Sequence, residues 1–343
     1  MTPVTPVPGP ADDRAPREGL EEALYEIKRV IVGQDAMLER MLVALLAGGH
    51  VLLEGVPGLA KTLTIKTLAG VLGGTFRRVQ FTPDLVPADL VGTRIYRPDT
   101  GRFDVELGPV FGNFLLADEI NRAPAKVQSA LLEVMQEQQV TIGGHSYPVP
   151  RPFLVLATQN PIESEGTYPL PEAQVDRFLF KVIVDYPTPG EEAAVVGRSL
   201  TPVREVQERL SMPALERYQQ EVSEVFVDRE VVGFAVQLVD ATRRPERYGL
   251  PDLAPLIQYG ASPRGSIGLV QAGQALAMLR GRRHVVAQDI ADLAPEVLRH
   301  RLVLSYDALS DGLTADDVLD RVLAAFPPSA VAREGAVAGS GAA

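Results

Sequence analysis

The chain has 343 residues, 46% hydrophobic and 22% charged, a balance that excludes a largely disordered or collagen-like polymer and leaves enough apolar mass for buried cores. Lys plus Arg number 33 and Asp plus Glu 44, so the net charge of −11 counts against broad electrostatic attachment to nucleic acid or anionic lipid. Cysteine and tryptophan are absent, which excludes disulfides, Cys-ligated zinc, Fe–S clusters and thiol nucleophiles, and counts against an aromatic platform for single strands.

Residues 1–18 carry Pro3, Pro6, Pro8, Pro10 and Pro16, with no early basic region and no apolar run, and so read as a flexible tail rather than an export signal. Met41–Leu53 is the most apolar stretch, but Gly48, Gly49 and His50 interrupt it and it is too short to cross a bilayer. No membrane partner is therefore expected, and the expected location is the cytoplasm. Over residues 19–186, short apolar runs alternate with helical patterns. His50–Glu54, Arg78–Phe81, Phe114–Ala117, Phe153–Thr158 and Leu179–Val184 suit strands buried on both faces of a parallel sheet, with helices such as Lys61–Leu72 and Pro124–Gln138 between them. This alternation predicts an α/β, doubly wound domain.

The strand signal stops at Tyr186-Pro187-Thr188-Pro189-Gly190. Glu191–Ser199, Met212–Ser223, Asp228–Arg243, Ser266–Arg280, Ala287–Leu298 and Thr314–Ala325 read as amphipathic helices, many with Ser, Asp or Thr near the start as caps. A small all-α domain is expected over residues 187–328. Residues 329–343, mostly Ala, Gly and Ser, read as a second flexible tail, and there is no internal repeat of fixed period.

The first strand runs into Gly55-Val56-Pro57-Gly58-Leu59-Ala60-Lys61-Thr62 and then a helix. This is close to G-x-x-x-x-G-K-[ST] in its strand–loop–helix setting, where backbone N–H groups and a helix N-terminus cradle phosphate, the lysine reaches the β- and γ-phosphates and the hydroxyl ligates Mg²⁺. Ala60 replaces the last glycine. About 60 residues on, an apolar strand ends in Asp118-Glu119, where open α/β sheets hold their ligands. Asp118 is the candidate Mg²⁺ holder and Glu119 the candidate for polarising an attacking water. The next strand ends in Gln159-Asn160-Pro161, which alone reads as a turn but in this order offers Asn160 to orient water or touch the γ-phosphate. Arg177, after Asp176, is either an ordinary ion-pair partner or a group that reaches a neighbouring subunit's nucleotide. Arg264 opens a helix where the dipole disfavours a cation, which a phosphate partner would explain. Two hairpins are predicted, over Arg94–Pro109 around Asp99-Thr100-Gly101 and over Gln139–Pro150 around Gly143-Gly144. His50, His145, His284 and His300 are scattered and lack ligand spacing, so they receive no role.

These residues resemble the AAA+ ATPases and, within them, the MoxR family. The resemblance covers nearly all of residues 20–325 and rests on Val32-Gly33-Gln34, Gly55–Thr62, Leu116-Ala117-Asp118-Glu119-Ile120-Asn121-Arg122-Ala123-Pro124, Ala157-Thr158-Gln159-Asn160-Pro161, the run Glu165–Gln174, Asp176-Arg177-Phe178 and Ser262-Pro263-Arg264. Ala60 is usual in that family, while Gly265 departs from its usual Ala. The resemblance implies an AAA+ P-loop domain with a five-stranded parallel sheet and helices on both faces, followed by a small all-α lid. It makes Lys61 and Thr62 Walker A residues, Asp118 and Glu119 Walker B, Asn160 sensor 1, Arg264 sensor 2 and Arg177 a trans-acting arginine finger. It lines the adenine pocket with Val32 and Gly33, makes Gln80 a candidate switch restraining Glu119, and makes the hairpins pore-facing inserts.

The implied activity is ATP hydrolysis with ATP and Mg²⁺ bound, by in-line attack of water on the γ-phosphate in a homo-oligomeric ring, a hexamer by family. The implied role is chaperone-like remodelling of a client protein, often with a von Willebrand A-domain partner. The ATPase subunit of a magnesium-chelatase-like complex, a nucleic-acid motor and a switch without turnover are the alternatives. The acidic charge counts against the motor, and Glu119 with Asn160 against the switch.

Overall fold

The protein is described here by a computed structural model covering residues 15–56, 58–59, 61–161, 166–200 and 205–329. Two helices open the chain, α1 (Ala15–Val30) and α2 (Asp35–Leu46), and lead into β1 (Val51–Glu54) and α3 (Lys61–Val71). There follow β2 (Phe76–Gln80), α4 (Pro87–Val91), a hairpin of β3 (Gly92–Arg97) and β4 (Arg102–Leu107), β5 (Phe114–Asp118) and α5 (Ala125–Glu137). A second hairpin, β6 (Gln139–Ile142) and β7 (His145–Pro148), precedes β8 (Leu154–Gln159), α6 (Glu172–Val175) and β9 (Phe180–Ile183). The rest is α7 (Pro189–Ser199), α8 (Met212–Ser223), α9 (Arg229–Arg243), β10 (Ile257–Tyr259), α10 (Pro263–Leu279), α11 (Ala287–Leu298), β11 (Val303–Leu304), α12 (Tyr306–Ser310) and α13 (Ala315–Ala325).

The central sheet has five strands in the order β2-β5-β8-β1-β9, all parallel. Successive residues face opposite sides of a strand; in β1, β5 and β8 both sides are buried, whereas the edge strand β2 exposes Arg77, Arg78 and Gln80, contrary to the expectation that Arg78–Phe81 is buried on both faces. Val51, Leu53, Phe114, Leu116, Leu154 and Leu156 join one core, which continues into the lid helices. Leu52, Leu115, Ala117, Val155 and Ala157 join the other, covered by α5 and its neighbours. The predicted α/β sheet with helices on both faces and a mainly helical lid is therefore the observed fold.

Three further local expectations change. Helix α1 begins at Ala15, inside the stretch read as a tail, because a proline is tolerated in a helix's first turn and Leu20, Ala23 and Ile27 bury one face. Helix α10 begins at Pro263, not Ser266, because Ser262 caps it with its hydroxyl accepting from Arg264 N–H at 3.2 Å and Pro263 is preset for the first turn. The lid is also not purely helical, since β10 and β11 pair antiparallel, runs too short to carry a period in the sequence. The tail readings for residues 1–14 and 330–343 lie outside the described residues.

His50, at the entry to β1, is structural. It is 5% exposed, accepts Val155 N–H at Nδ1 (3.1 Å) and donates from Nε2 to the Met135 carbonyl (3.3 Å). Burial disfavours its charged form and lowers its pKa to about 4. The unfolded chain takes up this proton near pH 6.5 and the folded chain only near pH 4, so acidification through that window removes about 3 kcal/mol of stability at this site. Denaturant unfolding across pH 4–7 is expected to fall less steeply in His50→Gln than in the parent. Parallel slopes would refute the buried neutral histidine.

Candidate active site

Because the five central strands are parallel, their C-terminal ends share one edge. Register pairs Glu54 with Gln159, and Gln80 with Asp118. That edge therefore gathers the loop after β1, the acids after β5 and Asn160 after β8. Gly55 N–H donates to the Gln159 carbonyl at 3.3 Å, tying the loop to the β8 tip. A Cβ on Gly55 would stand 2.5 Å from the Val184 carbonyl oxygen, so no larger residue fits. The Leu59 side chain is buried beneath the loop, and Pro57 and Ala60 lie outside the described residues.

Lys61 and Thr62 open α3, with both side chains partly exposed. Lys61 Nζ donates to the Gly55 carbonyl at 2.6 Å, back across the loop it follows. Its partial burial lowers its pKa, while Asp118, Glu54 and Glu119 oppose that shift.

Thr158 holds the acid pair in place. Its hydroxyl donates to Asp118 Oδ1 at 2.6 Å and accepts Glu119 N–H at 2.8 Å. Arg78 pairs with Asp118 Oδ2 at 2.7 Å. Glu119 sits at φ 56°, a left-handed conformation that costs a non-glycine residue energy and persists only where its surroundings hold it. Gln80 Nε2 donates to Glu119 Oε2 at 2.7 Å and Arg122 Nη1 to the same oxygen at 3.1 Å. Asn160 is buried at the next strand tip, 9% exposed. Sequence reading gave no role to Thr158, Arg78 or Arg122. Thr158 inside an apolar strand looks like an ordinary β-former, and only its place two residues before Asn160 marks it out.

Val32 and Gly33 precede α2, and this loop meets the chain leaving β9. Gln34 Nε2 donates to the Asp185 carbonyl at 3.3 Å. Gly33 has φ 64°, a left-handed conformation that calls for glycine here, and a Cβ there would also displace the Glu191 carboxylate.

Arg177 and Arg264 are not at this edge. Leu179 N–H bonds the His50 carbonyl at 2.8 Å, which puts Arg177 at the N-terminal edge of the sheet, a strand's length away. Its guanidinium donates to the Leu132 carbonyl of α5 at 2.9 Å and lines a polar cavity of about 420 Å³ with Ser129, Glu133 and Gln174. Arg264 stands 3.6 Å from Asp176, so it too lies on the Arg177 side. Arg264, the sensor 2 candidate by resemblance, thus stands beside Asp176 and not beside Lys61 of its own chain. Its unusual place at a helix start already has a carboxylate partner. Gly265 also has a reason, since a Cβ there would meet Leu298 at 2.9 Å.

Mg²⁺ characteristically takes one or two protein oxygens and completes its shell from phosphate and water. Among the described residues no cluster of three or more His, Cys, Asp or Glu could hold a metal ion. The Thr62 hydroxyl and the fixed Asp118 carboxylate suit the Mg²⁺ of a nucleotide rather than a resident ion.

The family model described as "ATPase family associated with various cellular activities (AAA)" matches residues 50–180, and that of the "AAA lid domain" matches residues 252–322. The chain is 58% identical to "Chaperone MoxR1" of Mycobacterium tuberculosis, over 89% of this chain and 81% of that one. It is 34% identical to "Protein MoxR" of Methylorubrum extorquens, over 81% of this chain and 86% of the other. A crystal structure from Cytophaga hutchinsonii superposes with a TM-score of 0.87 at 46% identity, covering 92% of this chain and 96% of that one. The chain belongs to the MoxR family of AAA+ ATPases.

Thr158→Val keeps the shape and removes both hydroxyl bonds under the acid pair. It is expected to cost about 1–3 kcal/mol in thermal or chemical unfolding, with Thr158→Ser restoring most of it. Equal stability of the valine variant would show that the hydroxyl is idle.

Proposed function

We propose that the chain hydrolyses ATP to ADP and phosphate, with Mg²⁺, at sites shared between neighbouring copies in a homo-oligomeric ring, a hexamer by family. The cycle remodels a client protein, with a von Willebrand A-domain protein as the expected partner. The observation that carries the shared site is the split across the sheet. Lys61, Asp118, Glu119 and Asn160 stand at one edge and Arg177 with Arg264 at the other. Strands of four to six residues span roughly 13–20 Å, too far for a chain's own arginines to reach its own phosphates without rearrangement.

Val32 and Gly33 line the adenine pocket, and the backbone of Gly55 to Leu59 cradles the phosphates. Lys61 leaves the Gly55 carbonyl for the β- and γ-phosphate oxygens. Thr62 and Asp118 hold Mg²⁺, which when bound neutralises charge on those oxygens. Glu119 accepts the proton of the attacking water, oriented with help from Asn160. Gln80 and Arg122 hold the Glu119 carboxylate, which supports the switch reading: the base stays restrained until a neighbour docks. Arg177 and Arg264 come from the adjacent subunit and stabilise charge on the transferring group. The Mycobacterium tuberculosis relative, named Chaperone MoxR1, supports the remodelling role. Among the described residues no helix is long and apolar enough to cross a membrane, and a cytoplasmic location is proposed with the family.

Glu119→Gln is expected to bind ATP normally and to lose about 10²- to 10⁴-fold in turnover, read by calorimetry and phosphate release. Parent-like turnover would remove its role as base. Arg177→Ala and Arg264→Ala are each expected to keep nucleotide affinity, with turnover falling about 10³- to 10⁵-fold for Arg177. Mixing either with Glu119→Gln subunits, whose arginines are intact, is expected to restore activity in mixed rings. Rescue of Arg177→Ala but not of Arg264→Ala would return Arg264 to its own subunit's site.

A further inference from the structure

Asp176, immediately before Arg177, is the meeting point of the core and the lid. Its Oδ1 accepts from Arg301 Nε at 2.7 Å. Its Oδ2 accepts from the Ser262 hydroxyl at 3.0 Å and faces Arg264 Nη1 at 3.6 Å. Arg301, 4% exposed at the side chain, also donates to the backbone carbonyls of Asp176 (3.2 Å), Phe178 (2.7 Å), Leu179 (3.3 Å) and, by a shorter bond, Val297. A single lid guanidinium thus binds carbonyls on both sides of Arg177, and one carboxylate takes hydrogen bonds or charge from three lid residues.

Stability alone does not call for this design. A buried ion pair is a weak source of folding energy but a strong fixer of geometry. The geometry fixed here is that of two cations carried by different parts of the chain, Arg177 on the segment entering β9 and Arg264 on the first turn of α10. Without a tie, lid motion would vary their separation. Two donors that must meet one phosphate group need that separation held to within a fraction of an ångström.

The geometry points to Asp176 as a positioning residue that, with Ser262 and Arg301, clamps the lid to the Arg177 segment so that Arg177 and Arg264 reach the neighbouring subunit's phosphates as one rigid pair. Asp176 touches no reacting atom and acts through the two arginines. The inference rests on the proposed trans action of those arginines, and it adds that the lid and the finger segment move as one body.

The test is complementation in mixed rings. Arg177→Ala subunits supply intact phosphate loops. Donor subunits carry either Glu119→Gln or Glu119→Gln with Asp176→Asn. Asparagine keeps the shape and an acceptor, and Arg301 keeps its carbonyl partners, but the charge that orders Arg264 and Arg301 is gone. The double-variant donors are expected to assemble and to bind a fluorescent ADP analogue with unchanged affinity, because their own phosphate loop lies at the other sheet edge. They are expected to rescue about 10- to 100-fold less activity than the Glu119→Gln donors, in kcat and not in KM. Equal rescue by the two donors overturns the clamp and leaves trans action standing. No rescue by Glu119→Gln donors, whose Asp176 is intact, overturns trans action itself and the clamp with it. If Asp176→Asn donors fail to assemble, donors with Glu119→Gln and Ser262→Ala decide: reduced rescue supports the clamp and full rescue overturns it.

Discussion

The parallel pairing of the five central strands is the constraint on which everything else depends. Parallel strands need crossovers, and the crossovers lay helices on both faces. Both faces must then be apolar, as the alternating residues of β1, β5 and β8 are. Parallel pairing also gives the sheet two unlike edges. The C-terminal edge collects every strand tip, and with them a phosphate loop, two acids and an amide. The N-terminal edge receives the returning chain, and with it Arg177.

That polarity is what the proposed sharing of sites between copies rests on. A P-loop domain that kept its arginines at its own strand tips could work alone. Here Arg177 and Arg264 lie at the opposite end of the same strands from Lys61, Asp118 and Glu119, and the lid reinforces the split. Helix α10 starts beside Asp176, while its far end at Arg280 reaches Glu39 of α2. The lid thus lies along the molecule with its first turn turned away from its own phosphate loop. Meanwhile the acids are held in check. Asp118 is paired with Arg78, and Glu119 is bonded to Gln80 and Arg122 in a backbone conformation that only its neighbours sustain.

Much of this was legible beforehand because it is written in local patterns. The apolar runs of β1, β5 and β8 announced buried strands, and α8 and α11 ended where their periodicity and caps said they would. Gly55 to Thr62 announced its own chemistry, since a phosphate loop is a contiguous device made by backbone and helix dipole. What escaped was contributed by residues distant in the chain. Thr158 looked like strand filler until β8 lay beside β5. Arg78 was read as part of a strand and Arg122 as part of a family-like run, and only the convergence of the strand tips set both on the acids. The two-stranded pair of β10 and β11 was hidden because such short runs carry no period. Gly265 departed from the family's usual Ala with no reason visible in the sequence, and the reason is the nearby Leu298, which a Cβ would meet at 2.9 Å.

The sequence by itself determined the family, the strand–helix alternation, the phosphate loop and the acid pair, because each depends on residues within one or two turns or strand lengths of one another. Only the tertiary structure decided which edge of the sheet each charge occupies. Arg264 sits 88 positions from Asp176 and Arg301 a further 37 along, and nothing in a linear pattern fixes whether such residues meet. Their meeting follows from the direction in which α10 packs across α2 while α11 packs on β9, a choice made by the shared apolar core of the lid and the sheet and not by the charged groups it brings together.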